Sequence, residues 1–240
     1  MKTKAFFTLA ALAGAVALAH AEPVQGIVRP IKSVTIQSPV LQENITEMHA
    51  EEGMEVRKGD VLVQLRNDRE KLDVKLSQKV IDLKRFIAQG QEKLFKEKMG
   101  SEEKALEART ELEAAEVTLE AKQVALDEKT VRAPMDGVVV KKYKESGEAV
   151  DRTEKLLDII NYDQVYIEFF VKPELRRMLK TSDTVKVRVA DLDNAEFAGK
   201  IEFIDPRNEA GSGFIRVKVL LENPQHQIKP GMKSNAEFGR

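Results

Sequence analysis

The spacing of apolar positions divides the chain into zones of different period. From Val24 to Asn67, β-branched residues alternate with polar ones and Pro and Gly punctuate the run, the pattern of short strands. From Asp68 to Lys129 there is no Pro, and Gly occurs only at Gly90 and Gly100. Ala, Leu, Glu and Lys dominate that zone, which predicts helix. Thr130 to Asn161 returns to the strand pattern. Tyr162 to Arg240 is also mostly strand, with a short helix predicted from Pro173, a residue suited to the first helical position, through Leu179.

The helical zone divides at Lys98-Met99-Gly100-Ser101. Gly100 suits the left-handed position that follows a helix end, and Ser101 suits an N-cap. Glu102 and Glu103 follow in the first turn, where the helix dipole favours acids. Two antiparallel helices are therefore expected. In both arms apolar residues recur in alternating steps of three and four. The first arm reads Leu76, Val80, Leu83, Ile87, Gly90, Leu94. The second reads Ala105, Ala108, Leu112, Ala115, Leu119, Lys122, Leu126. A seam of that period predicts a left-handed coiled coil, weakened locally at Gly90 and Lys122. Arms of about 30 residues would project roughly 45 Å.

The two strand zones around the hairpin repeat one another. Ile36 to Val56 and Val131 to Val150 share a Pro, an alternating strand and a Gly-x-x-Val turn, and a Leu-rich strand follows each. Gly53 and Val56 match Gly147 and Val150, while Leu62, Val63 and Leu65 match Leu156, Leu157 and Ile159. Pro39 stands one residue further from its glycine than Pro134 does. A turn is expected at Met135-Asp136-Gly137. Neither copy can bury its own apolar face, so two copies related by a pseudo-twofold axis are expected to close one small β-sandwich. Further strands are predicted at Val165–Val171, Thr184–Val189, Glu196–Ile204, Phe214–Leu221 and Ser234–Phe238. Pro230-Gly231 would turn the chain into the last of them, and such short, closely spaced strands predict a small barrel.

Charge and composition remove several classes of function. Lys+Arg number 39 and Asp+Glu 40, so there is no basic footprint for nucleic acid. With 33% charged residues and 5% aromatics, long solvated helices fit better than one thick core. The absence of cysteine excludes disulfides, thiolate metal sites, a cysteine nucleophile and a lipoprotein's lipidated thiol. Residues 1–21 read as a signal peptide. Lys2 and Lys4 precede an apolar run from Phe6 to Leu18, and Ala19-His20-Ala21 ends it, with cleavage expected after Ala21. The run, about 13 residues, is short of the roughly 20 needed to span a bilayer. An exported chain is expected, in a bacterial periplasm.

No Ser-His-Asp grouping, phosphate-cradling glycine loop or HExxH occurs, and the many carboxylates lie on predicted helix faces. The histidines are His20, His49 and His226. His49 lies near Glu47, Met48, Glu51 and Met54, but on an alternating strand these point to different faces. The methionines are scattered, as core fillers are. No enzyme, no metal site and no cofactor is expected.

Three stretches carry a resemblance. Ser38-Pro39, Gly53-Met54-Glu55-Val56-Arg57-Lys58-Gly59-Asp60-Val61-Leu62 and Arg132-Ala133-Pro134-Met135-Asp136-Gly137-Val138-Val139 are similar to the half-motifs of a biotinyl/lipoyl-like domain. A helical hairpin inserted between such halves resembles the periplasmic adaptors, or membrane fusion proteins, of the haemolysin-D-like family. Phe197-Ala198-Gly199-Lys200-Ile201, Asn223-Pro224 and Ile228-Lys229-Pro230-Gly231-Met232 are similar to that family's β-barrel domain. The resemblance implies an α+β fold. It is an elongated modular adaptor with a β-barrel and a lipoyl-like β-sandwich split by an antiparallel α-helical coiled-coil hairpin. The expected boundaries are 22–30 for an N-terminal strand joining the barrel and 31–67 for the first half of the lipoyl-like domain. They continue with 68–129 for the hairpin, 130–161 for the second half and 162–240 for the barrel.

A lipoyl or biotinyl carrier presents its modified Lys on the turn between the halves. The hairpin replaces that turn here, so no carrier Lys is expected. The family implies an oligomeric conduit with two partners, an inner-membrane transporter of the resistance-nodulation-division or ABC type and an outer-membrane channel. Many of its members also build a fourth, membrane-proximal domain from both termini. No room for it is expected here, so contact with a transporter should come mainly from the barrel. Adaptors that dock end to end on a channel often carry Arg, then Leu, then Ser at the hairpin tip. Leu94 and Ser101 match, and Gly90 stands at the Arg position. The expected partner-binding residues are thus Leu94, Lys98, Met99, Gly100 and Ser101, with structural turns at Pro39, Gly53, Pro134, Gly137, Gly147, Pro230 and Gly231. The other reading is a free-standing periplasmic coiled-coil interaction protein that is not part of a pump.

Overall fold

The computed structural model describes residues 23–238. The expected signal peptide and its expected cleavage site lie outside the described residues. The strands are β1 (Val24–Gln37), β2 (Glu43–Met48), β3 (Glu55–Val56), β4 (Val61–Leu65), β5 (Thr130–Arg132), β6 (Gly137–Lys142) and β7 (Ala149–Val150). They continue with β8 (Lys155–Val171), β9 (Thr184–Val189), β10 (Ala195–Ile204), β11 (Ile215–Glu222) and β12 (Lys233–Ala236). Two α-helices, α1 (Asp68–Lys96) and α2 (Glu102–Asp127), stand between β4 and β5. The chain forms two compact units. One holds Pro30–Gln164 with Pro224–His226. The other holds the described residues up to Arg29, then Val165–Asn223 and those from Gln227 onward.

The first unit is a sandwich carrying a helical hairpin. One layer has the order β5-β4-β2-β7, and in the other β6 lies between β3 and the start of β8. Aliphatic residues at alternate positions meet in one core, among them Ile45, Val56, Leu62, Leu65, Val139, Val150, Leu156 and Ile159. The internal repeat is visible hydrogen bond by hydrogen bond. Gly53 N–H donates to Val139 O, and Gly147 N–H donates to Ile45 O, both at 2.8 Å. Val139 N–H donates to Met54 O, and Ile45 N–H donates to Glu148 O. The carboxylate of Asp60 accepts from Arg57 N–H as that of Glu154 accepts from Asp151 N–H. Even the irregularities correspond: β2 shifts register against β4 between Ile45 and Glu47, as β6 does against β8 between Val139 and Lys141. Gly53 and Gly147 share a left-handed backbone, with φ 88° and 89°. At the next turn Gly59 (φ 96°) corresponds to Thr153 (φ 69°), so there the symmetry puts a β-branched residue in a glycine's conformation.

The hairpin helices are antiparallel, as ion pairs Lys84–Glu111 (2.7 Å) and Lys122–Asp73 (3.2 Å) require. On α2 the expected seam is the one that packs. Ala105 and Ala108 are buried, and Leu112, Ala115, Leu119, Lys122 and Leu126 are half-buried. On α1 the expectation is corrected. Leu76, Val80, Leu83, Ile87, Gly90 and Leu94 are exposed, and the face turned to α2 is Glu70, Val74, Ser77, Ile81, Lys84, Ala88 and Gln91. The same three-four spacing occurs on both faces of α1, so period alone could not choose between them. The alanines of α2 bring the helices close, and small or long flexible side chains on α1 fit that gap.

In the second unit the sheet order β1-β12-β9-β10-β11-β8, with a further β1–β8 pairing, closes a six-stranded barrel. Its interior is filled from alternate positions: Ile167, Phe169 and Val171 on β8, Val187 and Val189 on β9, and Val217 and Val219 on β11 are all fully buried. Gly26 is needed for packing, since a Cβ there would lie 2.6 Å from the Phe169 ring. Phe169 meets Phe238 edge-on at 5.0 Å. The helix expected from Pro173 through Leu179 is instead a 3-10 turn, Pro173–Arg177, held by i→i+3 bonds such as Leu175 N–H to Lys172 O. The last strand is also shorter than expected and ends at Ala236.

Candidate functional site: the hairpin tip and its root

The residues expected to bind a partner converge at one end of the hairpin. α1 ends in a Schellman motif. Met99 N–H donates to Leu94 O (2.8 Å) and Lys98 N–H to Phe95 O (2.9 Å). The left-handed residue that this motif needs is Lys98, at φ 60°, which corrects the placement of Gly100 there. Gly100 serves close packing instead, because a Cβ on it would come within 3.1 Å of Leu94 Cβ. Ser101 has extended backbone, and its Oγ accepts from Lys104 N–H at 3.3 Å, capping α2. With the backbone groups used internally, the tip presents side chains. Met99 is 67% exposed, with Leu94 and Phe95 exposed beside it and Lys98 adding a cation. Sequence reasoning passed over Phe95, although an aromatic residue next to Leu94 in the last helical turn was the available signal.

The root of the hairpin is locked electrostatically. The Lys129 side chain is only 10% exposed, and its Nζ lies 2.8 Å from Glu43 Oε2 and 3.2 Å from Glu70 Oε1. Arg66 Nε reaches the other Glu43 oxygen at 3.2 Å. One cation thus ties β2 to the first turn of α1 from the end of α2. Burial alone would raise the Glu43 pKa, but the hydrogen bond from Lys129 and the charges of Lys129 and Arg66 hold it below the usual carboxylate value. Burial likewise opposes the charge on Lys129, and the hydrogen bonds to Glu43 and Glu70 outweigh it, so its pKa is raised. Gln64 completes the joint by donating to Lys129 O at 3.0 Å. The sequence reading missed this cluster, because its members are far apart in the chain.

The turn residues are distributed through both units. Pro39 and Pro134 each lead into a half of the sandwich. Gly137 opens β6 against β8 so closely that a Cβ would collide with the Ile160 carbonyl. In the barrel unit Gly231, at φ 96°, follows Pro230 into β12, and Gly231 N–H donates to Val28 O. Phe170, Phe203 and Phe214 are exposed on that unit, with the Arg216 guanidinium 5.8 Å from the Phe203 ring. Among the described residues no three His, Asp or Glu side chains are grouped to hold a metal ion. His49 lies against Glu47 and His226 against Asp163, one acid each. No helix among the described residues is long and apolar enough to cross a membrane.

Comparison with known proteins agrees with this arrangement. Residues 32–161 match the family described as the CzcB-like, barrel-sandwich hybrid domain, and residues 164–240 match the CusB-like, beta-barrel domain. The chain is 24% identical over 209 residues to the cobalt-zinc-cadmium resistance protein CzcB of Cupriavidus metallidurans. That match takes in 81% of this chain and 40% of the relative. It is 20% identical over 229 residues to the nodulation protein NolF of Rhizobium meliloti, covering 90% of this chain and 62% of NolF. Both matches span less than two thirds of the relative. Among solved structures, a MacA-MexA chimera containing the α-hairpin domain of Pseudomonas aeruginosa MexA superposes with a TM-score of 0.82 at 18% identity, covering 92% of this chain and 81% of the chimera. ZneB from Cupriavidus metallidurans gives 0.58 at 18% identity, covering 91% and 98%. At such identities these two show the fold. Because the first family model alone takes in more than half of the residues, the chain belongs to the membrane fusion protein family, as a CzcB-like barrel-sandwich hybrid followed by a CusB-like β-barrel.

Proposed function

We propose that this chain is a periplasmic adaptor that links an inner-membrane transporter to an outer-membrane channel in an efflux or secretion system, several copies forming a structural conduit. The observation that carries the reading is the order of parts: a split sandwich, a two-helix arm in place of the carrier turn, and a closed barrel. The work is associative. The tip residues Leu94, Lys98, Met99, Gly100 and Ser101, with Phe95, dock on the channel. The barrel, through the aromatic face of Phe170, Phe203 and Phe214, meets the transporter. Each contact is small, and repetition around a ring raises the effective concentration of the next one. CzcB is a cobalt-zinc-cadmium resistance protein and NolF a nodulation protein, and in this reading the cargo of the present chain is set by the transporter it joins.

The test is capture in cells. A photo-crosslinking residue at Met99 should trap an outer-membrane channel, and one at Phe203 an inner-membrane transporter. A chain that traps neither when both candidate partners are co-expressed is not such an adaptor.

A further inference from the structure

We infer that α1 carries a lipid-binding face, by which the unassembled chain rests on the anionic periplasmic leaflet of the inner membrane. Such binding does not require the adaptor reading. Export across that membrane, expected from residues 1–21, is enough to bring the chain to the leaflet.

Three features of the hairpin point to lipid. The first is the breadth of the exposed apolar face. At about 100° per residue, Leu72, Leu76, Val80, Leu83, Phe86 and Ile87 cover roughly 120° of α1 on the side turned away from α2. A seam made for one further helix is a narrower stripe. Phe86 widens this one and is 76% exposed, with Leu72 at 66% and Leu83 at 57%. The second feature is the charge beside that face. Lys71, Lys75 and Lys93 flank its Phe86 edge, and Lys79 lies within it, on a stem long enough to carry its ammonium to the headgroups. Asp82 on the same flank is paired with Lys79 at 3.6 Å. The third feature is the contrast with α2. α1 holds eight Lys/Arg against five Asp/Glu, and α2 three against eight. An anionic surface therefore attracts α1 and repels α2, which turns the apolar face towards the lipid.

A helix with Leu and Phe on one face and Lys beside them lies in the plane of the interface, its apolar side chains at the acyl boundary and its cations at the phosphates. α1 has the length for this, 29 residues, and is not apolar enough to cross the bilayer. With α1 in that plane the tip residues Phe95 and Met99 stay beside the membrane. The lipid-bound form is thus the unassembled one, and docking of the tip on a distant partner requires its release.

The chain has no cysteine, so single thiols report cleanly. Leu83→Cys and Val117→Cys chains, processed in the periplasm and purified from it, would each carry an environment-sensitive fluorophore. They are mixed with vesicles of phosphatidylglycerol and phosphatidylethanolamine, or of phosphatidylcholine alone. The label at position 83 should shift to the blue on the anionic vesicles, and that at position 117, exposed on α2, should not. Co-sedimentation with anionic vesicles should fall about tenfold in Leu83→Gln/Phe86→Gln and about fivefold in Lys71→Gln or Lys75→Gln. The melting temperature should stay unchanged in each, because these side chains are exposed. In cells lacking the candidate transporter and channel, the chain should fractionate with the inner membrane. No binding to anionic vesicles overturns the inference, as does equal binding to phosphatidylcholine or binding that Leu83→Gln/Phe86→Gln leaves unchanged. A shift at position 83 that grows with protein concentration in the absence of lipid gives the face to a second copy and also overturns it. So does fractionation with the outer membrane. Capture at Met99 and Phe203 is measured separately, and its failure refutes the adaptor reading while leaving lipid binding intact.

Discussion

The pseudo-twofold repeat permits a paired experiment at Thr153 and Gly59. Both turns close with a left-handed residue, and Thr153 N–H donates to Ser38 O as Gly59 N–H donates to Ala133 O. Holding a non-glycine residue in that conformation costs roughly 1–2 kcal/mol. Thr153→Gly relieves that strain and loses only an exposed side chain, but it adds about 0.5–1 kcal/mol of unfolded-state entropy. The expected gain is about 0.5–1 kcal/mol, a rise in Tm of roughly 1–4 °C for a unit of this size. Gly59→Thr should lose a similar amount. Nothing lies within 4 Å of the Cβ it would introduce, so the backbone term acts alone. Both α-helices belong to the sandwich unit, so circular dichroism at the helical minimum follows that unit and not the barrel. If Thr153→Gly lowers Tm, or Gly59→Thr is neutral, the strain argument is wrong.

Four further outcomes are expected. Lys129→Ala should destabilise the sandwich unit by about 3–5 kcal/mol, because it leaves Glu43 and Glu70 without their buried cation; hydrogen exchange should be fastest at the hairpin root. The same anchor has a pH window. The lowered Glu43 pKa gives stability that is present above the unfolded value near 4.3 and lost as pH falls through the folded one, while the raised Lys129 pKa gives stability that is full below about 10.4 and lost above its folded value. In the barrel unit, hydrogen bonds from Arg207 and Arg216 hold the Asp205 carboxyl at about 2, so acid titration of that unit should show a loss continuing towards pH 2 that Asp205→Asn removes. Gly137→Ala should cost about 1–3 kcal/mol by urea unfolding, since the new methyl meets the Ile160 carbonyl.

Much of the fold was legible because the repeat is written in residues that have one structural use. Gly53 and Gly147 need a left-handed backbone, and Leu62/Leu156 and Leu65/Ile159 need a core. The α2 seam was legible because Ala105, Ala108, Leu112, Ala115, Leu119 and Leu126 recur in near-unbroken steps of three and four along one face. On α1 the stronger apolar stripe is not the one packed within the chain. Hydrophobic period reports that a face needs a partner, without saying whether the same chain supplies it. The left-handed role of Lys98, expected at Gly100, was missed because the Schellman bonds count from the last helical residue, and helix ends are not marked by period. The Lys129 cluster was invisible because its meaning depends on burial. The tip was found as a turn, but its side-chain surface, Phe95 included, follows only once the backbone bonds are assigned.

The hairpin also bears on the order in which the sandwich can form. β4 and β5 are direct neighbours, Val63 beside Val131, although the whole two-helix segment lies between them in the chain. Left as a flexible loop, that segment would make their meeting a long-range event, with an entropic cost that grows with loop length. As two antiparallel helices joined by a tight turn, it closes from the tip downward, each local contact shortening the next search. Helix formation is fast, on the order of a microsecond. The arm that reaches outward in the folded molecule is therefore also the device that returns the second half of the sandwich to the first.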